Sequence, residues 1–398
     1  MVLKNKNASR RQFLKKSSYF SLGTNIALNS LGVFSLMSSV NANAAESDFK
    51  ALVYIFLAGG NDCFNMVIPK GDSELRSQYE AGRRTVAIPA NDLHTLTLTN
   101  NARIYGGEQF NDFGLHPACD HMADMFNNQE MSVICNIGNL ITPTSREQYL
   151  AKEVSLPPQL FSHSDQQRQY QSSPVSPFLF GWGGRMAELV STYNANSSVS
   201  PLISVSGLNS FQVSRDSIVN PYVMSNDGAI ALKNFDGDRQ TIMASSMASI
   251  DDDAHVMVKK YRDVFSSARN AQTIVGNAFA QADATGVDYD AIFTAAGATN
   301  TTIARRLKTV AKMIAGKEST GNNRPIYFVE MGGFDTHQKL LADHHELMTE
   351  LNAALKGFRD VLKAQGDFDQ VLSFVGSEFG RTLTPNGDDL DTGTDHAW

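Results

Sequence analysis

Four short apolar runs, each closed by a glycine turn, constrain the fold of this chain more than any other feature. They occupy Asp48–Leu57, Met131–Ile137, Pro325–Met331 and Val371–Val375, and a glycine follows each run at once or one residue later. Near-continuous apolar runs of this length are typical of strands buried on both faces of a parallel sheet. The sequence therefore predicts four strands of one parallel sheet.

Helical patterns lie between these runs. They cover His121–Gln129, Thr302–Ala315 and Leu340–Gln365, with apolar residues near helical spacing. Strands that alternate with helices predict an α/β fold, an α/β/α sandwich around a mostly parallel sheet. The chain from about 174 to 299 is rich in Ser, Asn and Gly and has one short strand pattern at Pro201–Val205. We interpret this region as an insertion or cap on the sheet.

The first 44 residues have the pattern of an export signal. Arg10 and Arg11 precede Phe-Leu-Lys, an interrupted apolar stretch follows, and Ala42-Asn43-Ala44 is a small-residue cleavage site. We therefore predict a twin-arginine signal peptide over 1–44 and a single mature domain over 45–398. The expected location is the periplasm or the exterior, and the twin-arginine translocation machinery is an expected partner. No stable membrane span is expected, because the stretch falls short of ~20 apolar residues.

The net charge excludes one class of function. The formal charge is −7, and no stripe of Lys and Arg is present. Nucleic-acid binding depends on clustered basic residues, so we expect no nucleic-acid partner.

Three of the predicted strands end in an acidic residue. Asp62 follows the first run, Asp335 the third and Glu378 the fourth. In doubly wound sheets ligands bind outside the carboxyl ends of the strands. This pattern predicts a functional site at that edge of the sheet.

Two Asp-His pairs supply further candidate metal ligands. Asp335 and His337 follow a glycine pair, and Asp395 and His396 follow another glycine. Together with Asp62 they form a set of oxygen and nitrogen donors that suits two divalent ions, zinc, manganese or calcium.

A second acidic and histidine-rich stretch follows the first Asp-His pair. His344 and His345 lie next to Asp343 on a predicted helix. They could add a ligand, but we favour a solvent-exposed helix face for them.

The candidate catalytic residues are Ser162 and Arg381. Ser162 opens a polar helix, where free backbone N–H groups favour a developing negative charge; Ser164 is its rival, and a plain N-cap serine is the alternative. Arg381 could bind anionic substrate oxygens or pair with Glu378 instead.

Taken together, the motifs resemble the domain of unknown function 1501 family of exported bacterial proteins, placed in the alkaline phosphatase-like superfamily. The similarity covers Asp48–Trp398. It is carried by L-A-G-G-N-D-C-F-N, L-H-P, L-F-S-H-S-D-Q-Q, G-W-G-G-R, I-A-R-R-L-K, G-G-F-D-T-H, S-E-F-G-R-T and G-T-D-H.

The resemblance implies an alkaline phosphatase-like fold with two metals at the strand ends. By motif, Asp62, Asp395 and His396 would bind one ion, and Asp335 and His337 the other. The superfamily adds a further His after the Asp-His pair, so the chain is expected to be a fragment that ends at Trp398 just short of it. The nucleophile patterns of phosphatases and sulfatases are not present.

The expected function is an exported metal-dependent hydrolase of phosphate or sulfate esters. Ser162 would attack the ester, Arg381 would stabilise the transferred group, and the substrate would be a small anionic ester or a phosphorylated or sulfated polymer. The alternative is a non-catalytic metal-binding or envelope-assembly protein on the same fold. A serine esterase is disfavoured, because no G-x-S-x-G turn is present.

Overall fold

The computed structural model describes residues 49–97, 112–135, 137–172, 179–194, 199–215, 221–226, 228–229, 237–389 and 391–397. The predicted signal peptide over 1–44 and the residue Trp398 lie outside the described residues. In the part of the chain that the structure describes, no helix combines the length and the apolar character needed to cross a bilayer.

The protein has a mixed α/β fold around a parallel sheet. The central sheet has five strands in the order β6-β5-β7-β1-β8, and each neighbouring pair is parallel. Two small antiparallel sheets, β2-β4-β3 and β9-β10, lie outside it. The strands are β1 (Ala51–Leu57), β2 (Val67–Pro69), β3 (His94–Thr95), β4 (Phe113–Leu115), β5 (Leu202–Ser204), β6 (Tyr222–Val223), β7 (Ile326–Met331), β8 (Val371–Ser377), β9 (Gly380–Arg381) and β10 (His396–Ala397).

Eleven α-helices are described, together with several short 3-10 turns. The helices are α1 (Glu74–Arg83), α2 (Asp120–Asn127), α3 (Arg146–Ala151), α4 (His163–Gln171), α5 (Trp182–Leu189), α6 (Gly237–Ala248), α7 (Val256–Ala284), α8 (Tyr289–Ala295), α9 (Thr302–Ala315), α10 (Lys317–Thr320) and α11 (Leu340–Ala364). The helices predicted at His121–Gln129, Thr302–Ala315 and Leu340–Gln365 correspond to α2, α9 and α11.

Apolar side chains pack on both faces of the central sheet because successive residues of β1 point to opposite sides. Val53 and Ile55 join a core with α2, α8, α9 and α11. Tyr54 and Phe56 join a second core with α5 and the ring of Phe211. All of β1 is buried, which explains why its sequence is an uninterrupted apolar run.

One predicted strand is wrong. The run at Met131–Ile137 forms no strand in its described residues, and Val133, Ile134 and Ile137 are exposed. An apolar run becomes a strand only where a neighbouring strand accepts its hydrogen bonds, and among the described residues no strand pairs with this run.

The region interpreted as a cap contributes to the sheet itself. Strands β5 and β6 lie within 174–299 and extend the central sheet beyond β7. Helices α7 and α8 from the same region pack against α9 and α11 through Val275, Ala278 and Phe293. The three cysteines, Cys63, Cys119 and Cys135, have free thiols.

Candidate functional site

The loops after three neighbouring strands meet at one edge of the sheet. Leu57 is in register with Met331 on one side and with Ser377 on the other. The turn after β1 needs glycine, because Gly59 has φ of +123° and a Cβ there would lie 2.4 Å from the backbone nitrogen of Asp335. The acidic strand ends therefore approach each other closely.

His163, the first residue of α4, lies between two of these acidic side chains. Its Nδ1 is 3.0 Å from Oε1 of Glu378, and its Nε2 is 3.4 Å from Oδ1 of Asp335. His163 belongs to the motif L-F-S-H-S-D-Q-Q, but the sequence pattern did not indicate it as a ligand. Its position next to Ser162, the candidate nucleophile, was the available signal.

Two short strands bring the C-terminal loop back to the same place. Strands β9 and β10 pair so that His396 lies opposite Arg381. Nε2 of His396 is then 3.4 Å from Oδ1 of Asp335 and 2.9 Å from Nε2 of His337. The family resemblance implied different ions for His337 and His396, but at this separation both can bind the same ion.

The donor atoms at this point are spaced like the ligands of a single ion. One ligand atom each from His163, Asp335 and His396 lies within 4.8 Å of the others. Nε2 of His337 is 3.1 Å from Oδ1 of Asp335. Ligands of a tetrahedral zinc ion lie roughly 3.3 Å apart. We call His163, Asp335, His337 and His396 the His/Asp cluster.

Two imidazole nitrogens of the cluster face each other, those of His337 and His396. The carbonyl of Phe161 accepts from Nδ1 of His396 at 2.9 Å, so neutral His396 carries its lone pair on Nε2. Nε2 of His337 faces that lone pair, and Nδ1 of His337 lies 3.2 Å from Oδ1 of Asp395. Because a neutral imidazole has one N–H, it cannot satisfy both contacts. A divalent ion bound at these two nitrogens would remove the conflict, because both lone pairs could then coordinate it.

The protonation states of the cluster suit a cation. Burial lowers the pKa of His396, although its contacts with Phe161 and Asp335 oppose that effect. Burial alone would raise the pKa of Asp335, but the hydrogen bond and charge of Arg381 lower it overall, and His163 adds to the effect. At neutral pH the cluster therefore offers a neutral imidazole and a carboxylate, which are the metal-binding forms.

Arg381 is fully buried and binds the protein at several points. Its guanidinium donates to the carbonyls of Gly59, Gly60, Phe334 and Thr394 and to Oδ1 of Asp335, at 2.6 to 3.0 Å. Pairing with Glu378, the alternative role for Arg381, is not formed, and Arg381 pairs with Asp335. In this arrangement Arg381 fixes the loop ends and orients Asp335.

Asp62 and Asp395 each contact a different partner. Asp62 and Arg83 are both fully buried and form an ion pair, while Asp395 lies beside His337. Burial raises the pKa of Asp62, and the charge of Arg83 opposes that effect. Among the described residues, Oδ1 of Asp62 has no hydrogen-bond partner.

Ser162 immediately precedes His163, a member of the His/Asp cluster. It is the N-cap residue of α4, and its hydroxyl donates to Oδ2 of Asp165 at 2.7 Å and lies 3.4 Å from that of Ser164. The preceding residue, Phe161, has φ of 71°, which is unusual for a bulky side chain. This conformation turns the Phe161 carbonyl toward His396.

The solvent-exposed helix face expected at His344 is wrong. His344 is buried on α11, and its Nε2 lies 3.0 Å from Oδ1 of Asn61 in the loop after β1. His345, the next residue, is exposed. A one-residue step on a helix turns the side chain by about 100°, so neighbouring histidines reach different environments.

We compared the chain with curated proteins, with solved structures and with known protein families. No curated protein matches the chain, and no solved structure does. A family described as "Protein of unknown function (DUF1501)" matches residues 49–398, which is most of the chain. The chain therefore belongs to the DUF1501 family.

Proposed function

We propose that the protein is an exported, metal-dependent hydrolase of phosphate or sulfate esters. The observation that carries the proposal is the convergence of His163, Asp335 and His396 within 4.8 Å. Two imidazoles and one carboxylate around a shared point are the donor set of many catalytic zinc sites. A bound divalent ion would supply Lewis-acid polarisation of the ester group.

The residues beside the cluster support ester chemistry. Ser162 presents a hydroxyl at the N-terminus of α4, where free N–H groups favour negative charge. Asp165 accepts a hydrogen bond from this hydroxyl and can take its proton as the oxygen attacks. Arg381 acts by orienting Asp335, because its fully buried guanidinium already donates to four backbone carbonyls and to Oδ1 of Asp335. Ser164 is the alternative nucleophile.

The donor set favours zinc or manganese over calcium. Calcium prefers six to eight oxygen ligands, whereas this cluster is rich in imidazole nitrogen. The expected second ion would need Asp62, which contacts Arg83 instead. The proposal therefore rests on one ion at the His/Asp cluster, and measured stoichiometry decides whether a second ion binds.

One observation favours a different function, a non-catalytic metal-binding protein. If His337 binds together with His163, Asp335 and His396, the ion has four protein ligands. Four-ligand zinc sites are structural, and catalytic sites keep one position open. This alternative predicts bound metal without turnover.

Export follows from the N-terminal sequence. The paired Arg10 and Arg11 and the Ala42-Asn43-Ala44 site support passage through the twin-arginine machinery to the periplasm. A fusion of 1–44 to a reporter that works only after export tests this point. Replacing both arginines with lysine should abolish the signal, and unchanged export would argue against the twin-arginine route.

The metal proposal is tested by elemental analysis of the purified full chain. We expect about one zinc or manganese equivalent per chain, lost in His163→Ala and His396→Ala. His345→Ala, which changes an exposed histidine on α11, is the matched control and should keep the metal. A wild-type protein that stays metal-free after exposure to both ions overturns the proposal.

Ester specificity is tested with paired substrates. p-Nitrophenyl phosphate and p-nitrophenyl sulfate should be hydrolysed by the metal-loaded protein, with loss of the activity in chelator. Hydrolysis of p-nitrophenyl acetate that survives chelator would support a serine esterase instead. Bound metal with no turnover of any ester would support the non-catalytic alternative.

A further inference from the structure

We propose that Glu378 is a positioning residue for the His/Asp cluster. Its carboxylate fixes the ring of His163 so that Nε2 of that ring points at the metal position. This inference rests on the proposed metal site. Glu378 directly follows β8 and is not a member of the His/Asp cluster. Arg381, its alternative partner, pairs with Asp335 instead.

The side chain of Glu378 is held rigidly. It is fully buried, and Oε1 accepts from the backbone N–H of Gly59 at 2.8 Å, from Nδ1 of His163 at 3.0 Å and from Nε2 of Gln167 at 3.1 Å. The hydroxyl of Ser377 lies 3.1 Å from Oε2 and 2.7 Å from the carbonyl oxygen of Leu57, and its one hydrogen is shared between these two acceptors. The carboxylate is therefore locked between the turn after β1 and the first turns of α4.

The charge of Glu378 is directed at His163. Within the described ranges, the one ion pair of Glu378 is with this histidine. A buried carboxylate without a compensating positive charge is unfavourable by several kcal/mol. A metal ion on the other nitrogen of His163 would place positive charge at the far side of the ring and offset this effect.

The geometry also fixes which nitrogen of His163 is free. Because a carboxylate only accepts, Nδ1 of His163 carries the hydrogen and neutral His163 keeps its lone pair on Nε2. Nε2 is buried and has no hydrogen-bond partner among the described residues. Carboxylate–histidine–metal arrangements of this kind hold the ring in place and raise the basicity of the ligand nitrogen.

The test compares three variants of the full chain. Glu378→Ala removes the acceptor for His163. Glu378→Gln keeps an acceptor oxygen of the same shape but removes the charge. Gln167→Ala is the matched control, because it removes another hydrogen bond to the same oxygen and leaves His163 in contact with Glu378.

The first readout is metal affinity, measured by zinc competition with a chromophoric chelator. We expect Glu378→Ala to weaken binding by about 10- to 100-fold, Glu378→Gln to weaken it less, and Gln167→Ala to leave it unchanged. The visible spectrum of cobalt-loaded protein should change in Glu378→Ala, because the donor set changes. Equal affinities and spectra in wild type and Glu378→Ala overturn the inference, and so does an equal loss in Gln167→Ala.

The second readout does not need a metal. Nitrogen-15 NMR of histidine-labelled protein, with His163 assigned by its loss in His163→Asn, reports the tautomer. We expect an Nδ1–H form in wild type and Glu378→Gln that is lost in Glu378→Ala. An Nε2–H form in wild type overturns the inference. If wild type binds no metal but shows this tautomer pattern, the proposed function fails while the positioning role stands.

Discussion

The buried ion pair between Asp62 and Arg83 gives the sharpest quantitative prediction. Both side chains have no exposed surface, so removing one partner leaves the other charge uncompensated. Arg83→Met should destabilise the fold by about 3–5 kcal/mol. It also removes the donor to the carbonyls of Thr382 and Leu383, each contributing about 1 kcal/mol.

The partner variant should be milder. In Asp62→Asn the amide oxygen can still accept from Arg83, which keeps its carbonyl acceptors, so we expect a loss of about 1–3 kcal/mol. The double variant Asp62→Asn/Arg83→Met buries no unpaired charge. Its loss should be smaller than the sum of the single losses by at least about 1 kcal/mol.

Urea unfolding at neutral pH measures all four proteins of this cycle. If the stability loss in the double variant equals the sum of the two single losses, the ion-pair reasoning is refuted. It is also refuted if the free energy of unfolding of Arg83→Met lies within about 0.5 kcal/mol of the wild-type value. Metal content is measured on the same samples. If Asp62 serves the fold, Asp62→Asn keeps the wild-type metal content, whereas loss of one equivalent would support the expected second ion.

Three further predictions concern acid sensitivity and the turns around the cluster. Burial lowers the pKa of His116 and of His344 to about 3. A histidine in the unfolded chain has a pKa near 6.5, so above that pH both states are neutral and the two histidines do not reduce the stability of the fold. That stability should be lost as pH falls from there toward 3, by up to about 1.4 kcal/mol per pH unit for each histidine. Urea unfolding of His344→Gln between pH 7.5 and 5 should therefore show a shallower dependence on pH than that of the wild type. Arg381→Lys should cost roughly 2–4 kcal/mol, because an ammonium cannot satisfy the buried carbonyls around it; thermal unfolding checks this, and a change below about 0.5 kcal/mol contradicts it. Gly59→Ala should lower both thermal stability and metal content, because its Cβ would collide with the backbone of Asp335; wild-type values for both would contradict that.

Local pattern was sufficient for the main elements of the fold. The run predicted at Pro325–Met331 is β7, and the amphipathic pattern at Thr302–Ala315 is α9. The strand is recognisable because both of its faces are buried, and the helix because its buried residues repeat with the helical period; a single sequence carries both patterns. Met131–Ile137 is also a mainly apolar run, but it forms no strand in its described residues, because pairing depends on distant parts of the chain.

The site was less predictable, because its geometry depends on tertiary contacts. Asp335 and Glu378 were selected as strand ends, and topology alone brings such ends to one edge. His163 contacts Glu378 across more than two hundred residues of sequence, and no local spacing indicates that contact. For the same reason the sequence could not tell that His337 and His396 face each other.

The choice between catalysis and simple metal binding depends on how firmly His337 is held. His163 is fixed by fully buried Glu378, and the His396 side chain is 18% exposed. The side chain of His337 is 41% exposed, and its anchor Asp395 is 61% exposed. A protein that only stores an ion gains affinity from four constrained ligands, whereas a catalyst needs one ligand that can leave. Two firmly held imidazoles beside a third that is loosely held therefore favour a site whose fourth position can open to substrate.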